Sequence, residues 1–442
     1  MPVWRFSLIA VLLLGGCSAS QRLAAPPAEP VVTGPARAEP IREPAPPEVS
    51  KDEFWSALPP GIVEGRSLFP ATDVTEWTLA NGVRVVLRPS LSEPRRVYLV
   101  AYAVGRLAEV TDLRAVSAVL AARAAGVGMN PGGVRIGSYL TGDLAVVVGD
   151  ASTELLGGLL ERATEQMTRP EWAGVNPTLD PQDALSLLLS GHPETTLGGS
   201  FNPGEAAAFY EAHFGDPRLF TYILAGDVLP SEVERQAANT LTSVRASMQA
   251  VLGVSESTRP APTLARAAVW TMPEYSTQAS FHLGFRASLH ASYDNLAGLK
   301  ILADLLKQRV ETTTGRDVDV AVTMDFDHDV AELRMTANGP GTDDGDFRAM
   351  VFDAIRMLRA SEPTARLLVS ARASVVAEHE QAIQTNSGWL RWLVRLFRYH
   401  HDTREALRFG QRIRGVSAVR VHDLARSIID PDRYALVIQR SE

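Results

Sequence analysis

From Asp73 onward, apolar and polar positions follow two rhythms, a period of two and a period of about 3.6. Residues 75–79 and 83–88 read as strands around Asn81-Gly82, a strong hairpin signal. Residues 97–104 are a third strand and 144–148 another. Residues 113–125, rich in Ala, Leu and Val, suit a buried helix, and 153–167 an amphipathic one. The loop-like stretch 169–181 leads into a short helix ending at Leu189. A helix at 205–213, a strand at 220–225 and a helix at 230–241 close this part.

A polar, Pro-containing linker at 251–265 precedes a second unit that repeats the plan. Strands are predicted at 267–271 and 279–285, then a long helix at 293–310. Residues 318–326 and 330–337 alternate as a hairpin about 327–329. Helices at 344–359, 364–381, 388–399 and 404–413 follow; then come 419–428 and a last strand at 434–439. Strands in clusters followed by runs of helices predict an α+β fold, two tandem domains over 71–250 and 266–442. Each is expected to be a mostly antiparallel sheet covered by helices.

The N-terminus is different in kind. A basic start, a short apolar run at 6–14 and a small-residue ending make residues 1–16 a secretory signal, too short for a membrane span. Leu14-Gly15-Gly16-Cys17 resembles the lipobox of bacterial lipoproteins, which implies that Cys17, the chain's single cysteine, is lipidated. Ser18 next to it favours, by the same resemblance, the outer membrane, with the body of the protein in the periplasm. Ten of the 28 prolines fall between 21 and 60, so 17–70 is expected to be an extended tether rather than packed structure. A single cysteine excludes an internal disulfide, and a net charge of -8 offers no basic footprint for nucleic acid.

Several segments carry a family resemblance. TLANGVRVVLRPS (78–90) is similar to the opening hairpin of the M16 peptidases, the pitrilysin and insulinase-like zinc enzymes. FYEAHFGDPRLFTYILAGDV (209–228) resembles their domain-closing passage; SGWLRWLVRLFRY (387–399) and IIDPDRYALVIQ (428–439) resemble their last helix and strand. The chain looks most like the zinc-free C-terminal half of the long periplasmic type, which implies two LuxS/metallopeptidase-like domains. Catalytic members bind zinc through His-x-x-Glu-His on the first long helix, where both imidazoles share one face and the Glu activates water. The matching helix here, LRAVSAVLAARAAG (113–126), has neither His nor acid, and none of the nine histidines falls in such a motif.

Other candidates are weak. His379-Glu380 begins a motif it does not finish and reads as a solvated helical face; His400 and Glu405 read as surface residues. The Gly-rich run 126–133 has no phosphate-loop lysine, and Asp325, Asp327 and Asp329 lack calcium-loop spacing and read as a solvated hairpin tip. In catalytic relatives an Arg and a Tyr seven residues apart hold substrate; the matching positions here are Arg309 and Arg316. Arg keeps a planar fork for carbonyl or carboxylate but not a phenol's neutral hydrogen bond, so both are candidate substrate-facing residues or plain solvated ones. A trimmed helix at 168–181 is a further departure from the family pattern.

These readings lead to one expectation, a membrane-anchored non-catalytic M16 homologue. It is expected to need no cofactor itself and to partner a zinc-bearing M16 subunit in peptide or protein processing. The competing expectation is a stand-alone periplasmic binding or scaffold protein on the same fold.

Overall fold

Asn81 and Gly82 close the predicted hairpin of 75–88 as their residue types require. Gly82 takes a φ of 85°, and the Asn81 amide donates to the Leu241 and Val244 carbonyls at 2.7 and 3.1 Å, tying the turn to the end of a distant helix. The computed structural model describes residues 63–105, 128–129, 133–141, 144–168, 181–189, 203–242, 244, 264, 266–276 and 279–441. The first unit holds strands β1 (Val63–Phe69), β2 (Val74–Leu79), β3 (Arg84–Pro89), β4 (Arg96–Val104), β5 (Gly128–Met129), β6 (Arg135–Thr141), β7 (Leu144–Ser152) and β8 (Phe220–Gly226). Its helices are α1 (Leu156–Thr168), α2 (Pro181–Leu189), α3 (Pro203–Phe214) and α4 (Pro230–Leu241). The second unit has β9 (Ala268–Ser276), β10 (Ser280–Ser288), β11 (Val318–Asp325), β12 (Val330–Asn338) and β13 (Ala435–Ser441). Its helices are α5 (Tyr293–Thr314), α6 (Gly345–Ala360), α7 (Ala365–Ala382), α8 (Asn386–Arg398), α9 (Glu405–Gly415) and α10 (Ala418–Ile428).

The first sheet runs β1-β2-β3-β8-β4-β7-β6-β5 and the second β11-β12-β10-β13-β9. One five-strand plan lies in both, β3-β8-β4-β7-β6 and β9-β13-β10-β12-β11. In each, the opening strand pairs parallel with the closing one, while the other neighbours are antiparallel. The expected α+β class, two mixed sheets covered by helices, is therefore observed.

Each unit lends a helix to the other. Helix α2 lies on β10 and β13 of the second sheet, and α8 lies on β4 and β8 of the first. Two interleaved cores result. One joins Leu99 and Ala101 of β4 to Leu159 of α1, then runs through Ala184, Leu185 and Leu188 of α2 to Ala435 and Val437. The other joins Phe281, Leu283 and Phe285 to Leu299 and Leu302 of α5, then runs through Trp389 and Leu393 of α8 to Val100, Tyr102 and Ile223. Successive residues of β4 thus point into different cores, which is why that strand reads as an unbroken apolar run. Close approach needs small residues. A Cβ on Gly388 of α8 would lie 1.8 Å from the Ala382 carbonyl oxygen, and one on Gly284 of β10 would lie 2.7 Å from Leu189 of α2.

Three expectations need correction. Val63–Phe69, assigned to the tether, is an edge strand paired with β2; most of its residues are exposed, so no apolar run marks it. Strand β6 went unanticipated because Gly137 and Ser138 interrupt its apolar pattern. Strand β7 extends to Ser152, and a turn of tight helix at 153–155 precedes α1. Cys17, the signal segment, most of the tether, the helix expected at 113–126, the stretch 169–180 and most of the Gly-rich run lie outside the described residues.

Leu393 is fully buried between α8 and the first sheet. Leu393→Ala is expected to cost about 2–5 kcal/mol. Hydrogen exchange should speed up in β4 and β8 as well as in the second unit; loss confined to the second unit would contradict the interleaved packing.

Candidate functional site

Helix α5 places the two candidate arginines. Ser292 caps its start by accepting from Asn295 N–H at 3.2 Å, and Gly315 ends it at a φ of 66°. Arg309 sits near the C-terminal end of α5, before its last turn, and Arg316 just past the left-handed cap, so one rides the helix while the other starts toward β11. Both are half-buried. The Arg316 guanidinium lies over the Gly341 turn, 2.9 Å from where a Cβ on Gly341 would be, near Asp344. Neither guanidinium forms a hydrogen bond or ion pair with another described residue. Each is free to take an acceptor on an incoming chain.

The face of the second sheet that receives α2 carries a polar network that sequence reading passed over. Ser280, His282, Gly284 and Arg286 alternate with Phe281, Leu283 and Phe285, which point into the opposite core. His282, 5% exposed, has its Nε2 2.9 Å from the Ser280 hydroxyl and its Nδ1 3.3 Å from that of Thr336. Burial depresses its pKa to about 4, so the ring is neutral at physiological pH. One strand pair along, Arg334 donates to Glu332 at 3.0 Å and to the Ser186 hydroxyl of α2 at 2.8 Å, while Arg286 approaches Glu332 at 3.1 Å. Burial disfavours the charge on Glu332, but the two guanidinium groups prevail and hold its carboxyl below the usual range. The signal was present in the sequence, as polar residues at every second position of a strand flanked by phenylalanines.

Two sequence readings are overturned. His379 is not on a solvated face; it is 7% exposed and packed edge-on against Trp392 and Phe409, at centroid distances of 5.5 and 5.3 Å. Glu405 is also buried, paired with Arg412 at 2.8 Å, whereas His400 is exposed. At the 325–329 tip Asp325 accepts from His328 at 2.8 Å and is half-buried, so that part of the tip is less solvated than expected. Among the described residues no three His, Cys, Asp or Glu side chains converge as a metal site.

The burial of His282 makes stability acid-sensitive. An unfolded His protonates near pH 6.5, so as pH falls the unfolded chain gains its proton first. Stability is therefore lost between about pH 6.5 and the folded value of about 4, by about 3 kcal/mol in all. His282→Gln should flatten the pH dependence of unfolding in that window; an unchanged slope would show that His282 is not its source.

No protein-family model and no curated relative matches the sequence. Solved structures do. A mutant of the ferredoxin protease FusC in complex with Arabidopsis ferredoxin shares 15% identity and a TM-score of 0.58 over 93% of this chain and 49% of that one. The periplasmic protease PqqL from Escherichia coli shares 14% identity and a TM-score of 0.55 over 96% of this chain and 49% of that one. A peptidase M16 inactive domain from Pseudomonas fluorescens shares 14% identity and a TM-score of 0.59, with 83% and 98% covered. The chain spans about half the length of the FusC and PqqL chains. By its two sheets and their covering helices, this chain has the fold of the M16-like peptidases.

Proposed function

We propose that the chain is a membrane-anchored, non-catalytic M16 homologue that pairs with a separate zinc-bearing M16 subunit in peptide or protein processing. One observation carries the reading. The chain keeps the M16-like fold while the segment 113–126, which by resemblance matches the place where catalytic members carry their metal motif, has no His, Asp or Glu. Zinc needs imidazole, thiolate or carboxylate donors, and that segment offers none, so zinc does not fit here. The match to an M16 domain described as inactive supports a zinc-free role. Coverage of about half of FusC and of PqqL supports a chain that acts as one half of a two-part enclosure.

In this arrangement the partner supplies zinc and the attacking water. The present chain supplies wall and contacts, with Arg309 and Arg316 presenting guanidinium donors to carbonyl or carboxylate groups of the peptide. Export through residues 1–16 and lipidation at Cys17 place it on the envelope, and in our reading on the outer membrane facing the periplasm. The periplasmic location of PqqL supports that compartment, and no described helix is long and apolar enough to cross a membrane.

The purified chain is expected to show no chelator-sensitive peptide cleavage by itself. Cys17→Ser should move it from the membrane to the soluble fraction. Chelator-sensitive cleavage by the chain alone would overturn the non-catalytic reading; continued membrane association of the serine variant would overturn the anchor.

A further inference from the structure

Among the described residues four strands end the two sheets, β1 and β5 in the first, β11 and β9 in the second. An end strand leaves a row of backbone N–H and C=O groups without a ladder partner, and proteins guard such rows with short strands, bulges, proline or unmatched charge. Three of the four are guarded in these ways. Strand β1 slips register between Val63 and Gly65, β5 is two residues long, and β9 carries Pro273. Strand β11 is different. Its eight residues, Val318–Asp325, include no Pro or Gly, and they pair with β12 in unbroken register from Val318↔Ala337 to Asp325↔Val330. Its exposed charge, Asp319, is loosely matched by Lys307 at 4.0 Å.

The hydrogen-bond phase shows which groups this edge offers. Gly339 N–H donates to the Ala279 carbonyl at 2.9 Å and Leu289 N–H to the Asp329 carbonyl at 2.8 Å, so odd-numbered positions along β12 face β10. Even-numbered positions therefore face β11, where they meet Asp319, Ala321, Thr323 and Asp325. Val318, Val320, Val322 and Met324 are left with N–H and C=O directed away from the sheet. Val318 agrees with that phase, because its N–H donates to the Glu311 carboxylate of α5 at 3.4 Å. Val320, Val322 and Met324 have no backbone partner on that side among the described residues. Side chains alternate along the same strand. Val318, Val322 and Met324 sink into the core beside α5, while Asp319 is exposed and Thr323 and Asp325 are half-buried on the opposite face.

We propose that β11 takes an extended peptide as an added strand, its backbone paired to Val320, Val322 and Met324. A flat, unguarded edge is an aggregation hazard, and an added strand satisfies it. The fitting peptide alternates apolar and basic side chains. Its apolar set continues the valine row on the α5 side, and its basic set meets the carboxylates of Asp319 and Asp325. The inference rests on the peptide-handling part of the function proposed above and adds a main-chain site to its two guanidinium groups.

The test uses the purified full chain alone, with no zinc-bearing subunit, and a short fluorescein-labelled peptide that alternates Val with Lys. Fluorescence anisotropy should show saturable binding. Hydrogen exchange resolved by residue should slow at Val320, Val322 and Met324 on adding peptide and stay unchanged at Ala321 and Thr323, whose N–H groups already face β12. Methylating the peptide nitrogens of one alternate set should abolish binding, and methylating the other set should leave it intact. Val322→Pro removes an outward donor and no β12 bond, so it should weaken binding about ten-fold or more. Binding by both methylated peptides, or unchanged exchange at the three outward amides, would overturn the proposal. So would exchange at those amides that slows with protein concentration in the absence of peptide, which marks a second copy on the edge. Absence of peptide binding would leave a zinc-bearing partner still to be captured, and absence of that partner would leave this titration standing, so the two failures are told apart.

Discussion

The structure depends on the exchange of α2 and α8. Each sheet is covered on one face by its own helices and on the other by a helix of its neighbour, so neither unit can complete its core alone. Polar contacts follow the same route. Arg334 of the second sheet reaches Ser186 on α2, and Arg88 of the first sheet lies 4.2 Å from the Trp389 ring on α8. Thr72 donates to Thr403 at 2.9 Å across the same boundary. Burial on both faces of β4 and β10, rather than any single ion pair, is what fixes the relative placement of the two units.

That constraint also explains how much could be read in advance. Strands buried on both faces, such as β4 and β8, announce themselves as continuous apolar runs, and the long α5 carries its own N-cap and glycine stop. Strand β1 sits at an edge, paired on one side and largely exposed, so its pairing with β2 is decided by tertiary contact and leaves little local trace. His379 and Glu405 were misread for a related reason. Each looks hydrophilic in a helical sequence, but α7 and α9 bring one against Trp392 and Phe409 and the other against Arg412. The alternation of Ser280, His282 and Arg286 was visible, but which face of β10 would meet α2 was not.

The candidate site was legible mainly by what is missing. The segment 113–126, mostly Ala, Leu, Val and Arg, holds no His, Cys, Asp or Glu, a direct statement about donors. Arg316, at the position where the resemblance implies a phenol, offers a charged fork in place of a neutral hydrogen bond. Geometry adds that Arg309 and Arg316 straddle a left-handed cap without described partners, a poised arrangement compatible with contact to another chain. Among the described residues no three His, Cys, Asp or Glu side chains converge as a metal site in either unit.

The most direct measurement is affinity capture of the chain from detergent-solubilised membranes, with the eluate assayed for peptide cleavage with and without a chelator. The account predicts chelator-sensitive cleavage that co-elutes with a zinc-bearing M16 subunit. An eluate with neither the subunit nor cleavage would contradict it and favour a stand-alone binding or scaffold protein.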